Sequence, residues 1–578
     1  MTEKVKITID EKEIEVPAGI KVIEAAKQAG INVPHFCYHP GLKVVGQCRM
    51  CFVEIEGARK LATACSTPVN EGMVVRTKSQ EVIDGQNSTL EFTLLNHPLD
   101  CPICDRGGEC KLQDYTFEHG PPRSRMSDAK SLKIKHHPIS DQIVLDQERC
   151  ILCTRCVRFS SEVDGGAELV VNQRGHESVI DVFEGKSFDS DFSGNVVDLC
   201  PVGALTAQDF RFQARPWELK KHDALCTGCS VGCNVELHTK HRHPGIARPD
   251  KKDPQPQIVR VVPRENLNIN EWWMCDRGRW GYHFHNQDDK RITSTLSKSS
   301  DGQWTSCSLK TVQESLRHNP AANWSFWISE DCPNEIISWA KEIRQSWIDR
   351  GQSIGPFNHT PFGDAFMSFW AERLNSNPWA LGQCDWNGIN EIYSDLNCSE
   401  LKKINPILGL KVEQKVRDGK LSWKEIDWKQ LPTNFDSACV IVGAPTKQSA
   451  LDQLKKLPSD TRLLIAFKHF NARGLLNEGI VPLEVLQEDL ENIQLSQYIF
   501  AFSQSTQDSA RKYWKNCFSQ SEFLVLADSY LSEISQEADV VLPLAPLYES
   551  EFHATSVENY TQFSDGVTLH HPNVESIK

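Results

Sequence analysis

Cysteine placement constrains this chain more than any other feature. Of its 21 cysteines, fifteen lie between Cys37 and Cys275, and with one histidine they sort into four sets of four. The first set reads C-x10-C-x2-C-x13-C (Cys37, Cys48, Cys51, Cys65) and the second H-x3-C-x2-C-x5-C (His97, Cys101, Cys104, Cys110). The third reads C-x2-C-x2-C-x43-C-P (Cys150, Cys153, Cys156, Cys200) and the fourth C-x2-C-x3-C-x41-C (Cys226, Cys229, Cys233, Cys275). Thiolates in fours, grouped by short loops, are the ligand pattern of iron–sulfur clusters. A fold for this sequence has to bend the backbone around four such groups. Four clusters on one polypeptide make a route for electrons.

At 578 residues the chain is too long for a single core, and three to five domains are expected. No stretch approaches the roughly 18–20 apolar residues that span a bilayer, so no direct membrane insertion is expected. The N-terminus, MTEKVKITID, has neither a basic region followed by an apolar one nor an Arg- and Ser-rich, acid-poor leader. Cysteine richness without a secretory signal points to metal or redox chemistry rather than disulfides. A net charge of −14 argues against a nucleic-acid partner. The basic stretches Lys130–His137 and Lys240–His243 read as solvated loops.

Along the chain, VKITID and EIEVP alternate around a charged turn at Glu11–Lys12, a hairpin signal. Lys21 to Gln28 has Val22, Ala25 and Ala26 at helical spacing, and Gly30 stops it. Strand, strand, helix and a cysteine loop is the order of a β-grasp ferredoxin. Residues 80–120 read as mostly helical. Inside the fourth set, HRHPGIARPDKKDPQPQ reads as an exposed excursion. Beyond Tyr282 cysteines thin out, and ACVIVGA, RLLIAF and FLVLAD read as buried strands of a parallel sheet with helices between them.

The sets differ in what their spacing decides. The first resembles a plant-type [2Fe–2S] site with a longer first gap, and Gly41 and Gly46 would let backbone N–H groups approach the sulfurs. Zinc is its alternative. The third matches one complete set of a two-cluster bacterial ferredoxin, in which the last Cys-Pro is distant in sequence. The second cluster's expected positions are Ser160, Ser190, Ser193 and Val196, so one [4Fe–4S] is whole and the other absent whole. The second set has three cysteines, and all other cysteines up to Cys275 are committed elsewhere. His97 is the best-placed residue to complete it, an open iron that binds substrate being the alternative. Spacing alone leaves the fourth set open between a cluster and a zinc ribbon. The last six cysteines, Cys307, Cys332, Cys384, Cys398, Cys439 and Cys517, form no close pair and read as buried thiols.

With these sets in place, and with CTGCSVGCNVEL and WWMCDRGRWGY around the fourth, residues 1–282 resemble the large iron–sulfur subunit (G type) of respiratory complex I, NADH:quinone oxidoreductase, of bacteria. The resemblance implies one [2Fe–2S] cluster and three [4Fe–4S] clusters, the fourth set being the one off the main electron route. It implies a multidomain α+β and α/β protein. A β-grasp [2Fe–2S] ferredoxin domain at 1–80 is followed by a helical domain at 81–130 with one histidine and three cysteines on its [4Fe–4S]. A ferredoxin-like [4Fe–4S] domain at 131–216 and a molybdopterin-oxidoreductase-type [4Fe–4S] domain at 217–282 come next. A degenerate molybdopterin-oxidoreductase-like α/β scaffold fills 283–578. EADVVLPLAPLYESEFHATSVENYTQ is similar to a stretch of that family, but the family's glycines and final Arg are missing at His553, Ala554 and Tyr560 to Gln562. No Gly-rich phosphate loop is present, so no molybdopterin is expected.

The implied function is electron relay in a proton-translocating NADH dehydrogenase. NADH, flavin and quinone sites are expected on other chains, because this one has no G-x-G-x-x-G. Expected partners are the flavin/NADH-binding subunit and further iron–sulfur subunits of the peripheral arm, on the cytoplasmic side of the bacterial inner membrane. No acid–base catalytic residue is implied. An NAD-linked hydrogenase electron-input subunit shares the first three sets, and a molybdenum or tungsten formate dehydrogenase is the reading from another class.

Overall fold

The computed structural model describes the chain apart from residues 1–2, 241–256, 313–323, 375–385, 481–497, 503–517, 545–551, 557–560, 565–578 and some shorter stretches. It divides into two compact units, Met1–Leu219 and Lys220–Lys578.

Unit 1 opens with the hairpin β1 (Lys4–Ile9) and β2 (Lys12–Pro17), paired antiparallel from Lys4↔Pro17 to Ile9↔Lys12. The turn sits at Asp10 and Glu11, one residue before the position read from sequence. Both carry positive φ, 46° and 69°, the conformation that matches strand twist in a tight hairpin. Helix α1 (Val22–Gln28) follows and buries Val22, Ile23, Ala25 and Ala26. Its end is the left-handed Gly30, φ 73°. Strands β3 (Phe52–Ile55), β4 (Ala62–Thr63) and β5 (Val74–Arg76) complete a sheet of order β2-β1-β5-β3-β4, with β1 and β5 parallel. Val5, Ile7, Ile9, Val53 and Val75 from the sheet meet the α1 side chains in one core.

Helices α2 (Gln80–Leu94) and α3 (Lys111–His119) bracket the second set. The Lys130–His137 stretch does more than face solvent. Lys130 Nζ donates to the Leu94 and Leu95 carbonyls at 2.8 and 2.7 Å, capping α2, because a cation offsets the negative end of a helix. Lys135 pairs with Asp100 and Glu148. Residues 241–243 of the other basic stretch, and the proline-rich excursion, lie outside the described residues.

Around the third set stand strands β6 (His137–Pro138), β7 (Ile143–Leu145) and β10 (Leu205–Ala207), in order β10-β7-β6, and a ribbon of β8 (Leu169–Asn172) with β9 (Val179–Val182). Helix α4 (Arg155–Arg158) runs into a π-helical turn, and α5 (Asn195–Leu199) leads to Cys200. Where a second ferredoxin cluster would be, Ser160, Ser193 and Val196 are buried, and the Ser160 hydroxyl accepts from Glu168 N at 2.9 Å.

Unit 2 begins with an antiparallel sheet of β11 (Leu219–Leu225), β12 (Asn234–Lys240) and β13 (Gln257–Pro263). Two further sheets follow. One has β16 (Trp324–Ile328), β17 (Ile354–Phe357), β22 (Tyr498–Phe502), β23 (Phe523–Asp528) and β24 (Val540–Pro543), all parallel, edged by antiparallel β14 (Leu296–Lys298) and β15 (Trp304–Ser306). The other is fully parallel, in order β19-β18-β20-β21, from β18 (Glu391–Ser394), β19 (Ser422–Glu425), β20 (Ala438–Gly443) and β21 (Leu463–Ala466). The three apolar runs are parallel strands as read, distributed over two sheets instead of one. Val440, Leu463, Ala501 and Leu524 share a single core, the burial on both faces that such continuous apolar strands require. Among the remaining cysteines, Cys332 and Cys439 are buried and Cys307 and Cys398 half-buried, while Cys384 and Cys517 lie outside the described residues.

Candidate metal centres

Each of three ligand loops is curled by residues in the left-handed region. In the first set Gly46 (φ 61°) and Arg49 (φ 59°) flank Cys48; in the third, Leu152 (φ 52°) and Thr154 (φ 58°) alternate with the cysteines; in the fourth, Gly232 (φ 62°) precedes Cys233. Alternating the hand of successive residues turns their N–H groups inward and makes a concavity for an anion, as at many Fe–S sites. Cys37 N donates to Cys48 Sγ and Leu152 N to Cys150 Sγ, both at 3.4 Å. Gly46 is required for its φ; a Cβ there would meet nothing closer than 3.9 Å.

In the first set Cys37, Cys51 and Cys65 are buried. Cys48 hydrogen-bonds to Cys37 and Cys51 to Cys65, so Cys37 is pulled down to about 5 and Cys65 also falls, while their partners rise. In the third set all four cysteines line one cavity, with Leu145, Ile180 and Val202 among its walls. Burial, then neighbouring thiols, pushes Cys150 to about 12 and Cys153 to about 11. In the fourth set Cys226, Cys229, Cys233 and Cys275 line a second cavity with Met274, Pro406 and Ile407. Burial holds Cys226 at about 11 and Cys275 at about 12. Such thiols are protonated at neutral pH, so iron has to displace protons as it binds.

The second set is the most open. Cys104 and Cys110 are buried and Cys101 is exposed. His97 Nδ1 is buried with no hydrogen-bond partner. Burial, aided by the charges of Lys130 and Arg149, lowers its pKa to about 4. A neutral imidazole with an unspent nitrogen is the form that binds metal. Among the described residues, no group of three or more His, Cys, Asp or Glu side chains converges enough to hold one metal ion.

In unit 1 the loops of the third set meet those of both other sets. Toward the first set, Arg155 donates to the Tyr38 carbonyl and to Leu199 O at 3.1 Å, and Arg158 to the Cys37 carbonyl, to Lys43 O at 2.7 Å and to Cys153 O at 3.4 Å. Gln47 Nε2 donates to Leu152 O at 2.5 Å. Toward the second set, Lys111 N donates to Pro201 O at 3.1 Å, Cys110 Sγ lies 3.8 Å from the same oxygen, and Arg106 donates to Cys200 O at 2.7 Å. Gly203 faces Cys104 so closely that a Cβ would run into its sulfur.

Four family models match the chain. They are a 2Fe-2S iron-sulfur cluster binding domain over residues 2–80, an NADH-ubiquinone oxidoreductase-G iron-sulfur binding region over 86–125, the ferredoxin-like domain of NADH-quinone oxidoreductase subunit 3 over 140–206, and a molybdopterin oxidoreductase Fe4S4 domain over 219–287. The G subunit of NADH-quinone oxidoreductase from Streptomyces coelicolor is 42% identical over 301 residues, 52% of this chain and 34% of that one. Its counterpart from Rickettsia felis is 37% identical over 419 residues, 72% of this chain and 59% of that one. The cluster-bearing part of this chain is thus similar to the G subunits of NADH-quinone oxidoreductase.

The mitochondrial 78 kDa relative from Neurospora crassa is 40% identical over 278 residues, 48% of this chain and 36% of that one. The chain thus spans about a third of the length of the Streptomyces and Neurospora relatives. A chain from a crystal structure of NAD+-reducing [NiFe]-hydrogenase is 32% identical, with a TM-score of 0.33, covering 36% of this chain and 90% of that chain. Among the described residues, no helix is long and apolar enough to cross a membrane.

Sequence reasoning misses the residues that hold the ligand loops. Arg155 and Arg158 stand inside and just after the third motif, and only their spacing among the cysteines could flag them. In unit 2, Asn405 Nδ2 donates to Ser230 Oγ at 2.9 Å and Phe467 O at 2.8 Å, and Gln562 Nε2 donates to Gly232 O at 2.9 Å. Asn270 Oδ1 accepts from Asn234 N at 2.9 Å. Gln562 ends the stretch that departs from the family pattern, and it clasps the fourth loop.

Proposed function

We propose that this chain is an electron-relay subunit of an NADH-quinone oxidoreductase, passing single electrons from a flavin- and NADH-bearing partner through iron–sulfur clusters toward quinone. The observation that carries the reading is that the loops of the third set bond to those of both the first and the second. It supports the order first, third, second; the resemblance to the G subunits implies a fourth set off that route. The ligands assigned are Cys37, Cys48, Cys51 and Cys65 to a [2Fe–2S] cluster. His97, Cys101, Cys104 and Cys110 hold one [4Fe–4S], Cys150, Cys153, Cys156 and Cys200 the next, and Cys226, Cys229, Cys233 and Cys275 the last. The corresponding domains are 1–80, 81–130, 131–216 and 217–282, with 283–578 as scaffold. Partners are the NADH/flavin chain and other iron–sulfur subunits, on the cytoplasmic side of a bacterial inner membrane. When bound, the clusters supply the one-electron chemistry; the protein supplies ligation, burial and charge.

Iron and sulfide content of the anaerobically purified chain, with EPR after dithionite reduction, tests this. About 14 iron per chain corresponds to one binuclear and three tetranuclear centres. A colourless protein holding only zinc overturns the assignment.

A further inference from the structure

Arg155 and Arg158 are 4% and 6% exposed, and the Nε of each is buried without a hydrogen-bond partner. Their hydrogen bonds among the described residues all end on main-chain carbonyls, at Cys37, Tyr38, Lys43, Cys153 and Leu199. Neither makes an ion pair there with a carboxylate. Around the second set, the Arg215 side chain likewise bonds only carbonyls, those of Cys104 and Pro102 at 2.6 Å each, but three other basic side chains there have carboxylate partners. Arg149 pairs with Asp100 at 3.0 Å and Asp146 at 3.2 Å, Lys135 with Asp100 and Glu148 at 2.6 Å each, and Arg106 with Glu109 at 3.4 Å.

Two adjacent buried cations without a counter-anion are expensive, because a buried charge has to be paired. Carbonyl dipoles offset part of that cost. The rest calls for negative charge nearby, and both guanidiniums stand beside ligand loops of two sets at once. Arg158 Nη2 bonds the carbonyls of Cys37 and Cys153, one from each set. A cluster held by four thiolates is an anion, and each reduction adds one electron and one further negative charge. Guanidinium stays protonated throughout.

Resting on the cluster assignment above, we infer that Arg155 and Arg158 form a shared cationic clamp that raises the reduction potentials of the first and third clusters together. The arginines are positioning and charge-compensating residues; they touch the ligand loops and take no proton. Because one pair of cations serves both centres, removing a charge lowers both potentials. The second cluster, whose loop carbonyls are bonded by Arg215 and not by Arg155 or Arg158, serves as an internal reference.

The test is an EPR-monitored redox titration of the full chain, with iron content measured on each sample. Arg158→Gln with full iron is expected to weaken reduction of the first and third clusters at least tenfold, about 59 mV for a one-electron couple. Arg158→Lys, which keeps the charge but not the two-pronged clasp, should restore most of that shift, and the second cluster should stay put. Unmoved first and third midpoints in an iron-complete Gln variant overturn the inference. So does a Lys variant that shifts as far as the Gln one. If Arg158→Gln loses iron, Arg155→Gln and Arg155→Lys are read the same way. Loss of the two clusters from both Gln variants, with retention in both Lys variants, supports the role of charge; loss from all four overturns it. Absence of iron from the unaltered chain would instead refute the cluster assignment itself.

Discussion

The two units hold their cysteine sets by opposite means. Unit 1 carries three sets on short strands and loops, and joins them by arginine-to-carbonyl bonds that act directly on the ligand loops. Unit 2 carries one set, braced by Asn405, Asn270 and Gln562, and also holds two largely parallel sheets with a core of their own. Both units bury apolar side chains, but in unit 1 the ligand loops of three sets are also bonded to one another, whereas in unit 2 one set stands alone. The more of a fold's contacts run through ligand loops, the more its folding depends on metal.

Removing iron should separate the behaviour of the two units most clearly. Under chelation and reduction, amides of residues 95–160 should exchange rapidly while those of β22 and β23 stay protected. Equal loss of protection in both units would remove the contrast.

A pair of glycine substitutions sharpens it. Gly203→Ala drives a methyl group into Cys104 Sγ, and Gly278→Ala places one 2.7 Å from Cys226 Sγ. Each overpacking should cost about 1–3 kcal/mol and about four iron atoms. The first should also shift the melting of unit 1, and the second should leave unit 2's melting nearly unchanged. A large drop in unit 2's transition with Gly278→Ala would mean that its core leans on the cluster.

Acid should reach unit 2 through His285, which burial holds at about 3 against 6.5 when exposed. Between those values the unfolded chain binds the extra proton, so stability is complete above 6.5 and falls as pH drops toward 3. The loss is on the order of a few kcal/mol. His285→Phe should flatten the pH dependence of the urea midpoint of unit 2; an unchanged slope counts against it.

The smallest effect concerns the brace. Asn405→Ala removes the donor to Ser230 and to the Phe467 carbonyl, at about 1–3 kcal/mol. The fourth loop should then exchange faster while the EPR signals of unit 1 stay as they were. Altered unit 1 signals would contradict independent support.

Much of this is legible in the chain itself. Period-two alternation announces the opening hairpin, and the continuous apolar runs at 438, 463 and 523 announce parallel strands. The turn at Asp10–Glu11 reads one residue late because charged side chains in left-handed positions carry no glycine to mark them. Cysteine spacing exposes the sets, since metal ligands have to be particular residue types. What holds the sets is not legible. Arg155 and Arg158 bond main-chain carbonyls, which every residue possesses, so no complementary side chain marks the partner. Lys130 reads as part of a solvated loop for the same reason, its acceptors being the carbonyls that end α2. Asn405 and Gln562 meet their loop across sequence separations no local pattern spans.

That last distance has a consequence for synthesis. The amide of Gln562 closes on Gly232 across 330 residues. The three sets of unit 1 are complete once the ribosome has passed Cys200, and they can take up iron while the rest of the chain is still being made. The fourth loop has to wait for nearly the whole polypeptide before its clasp exists. A nascent chain stalled midway would therefore carry three complete ligand sets and an unguarded group of four thiols.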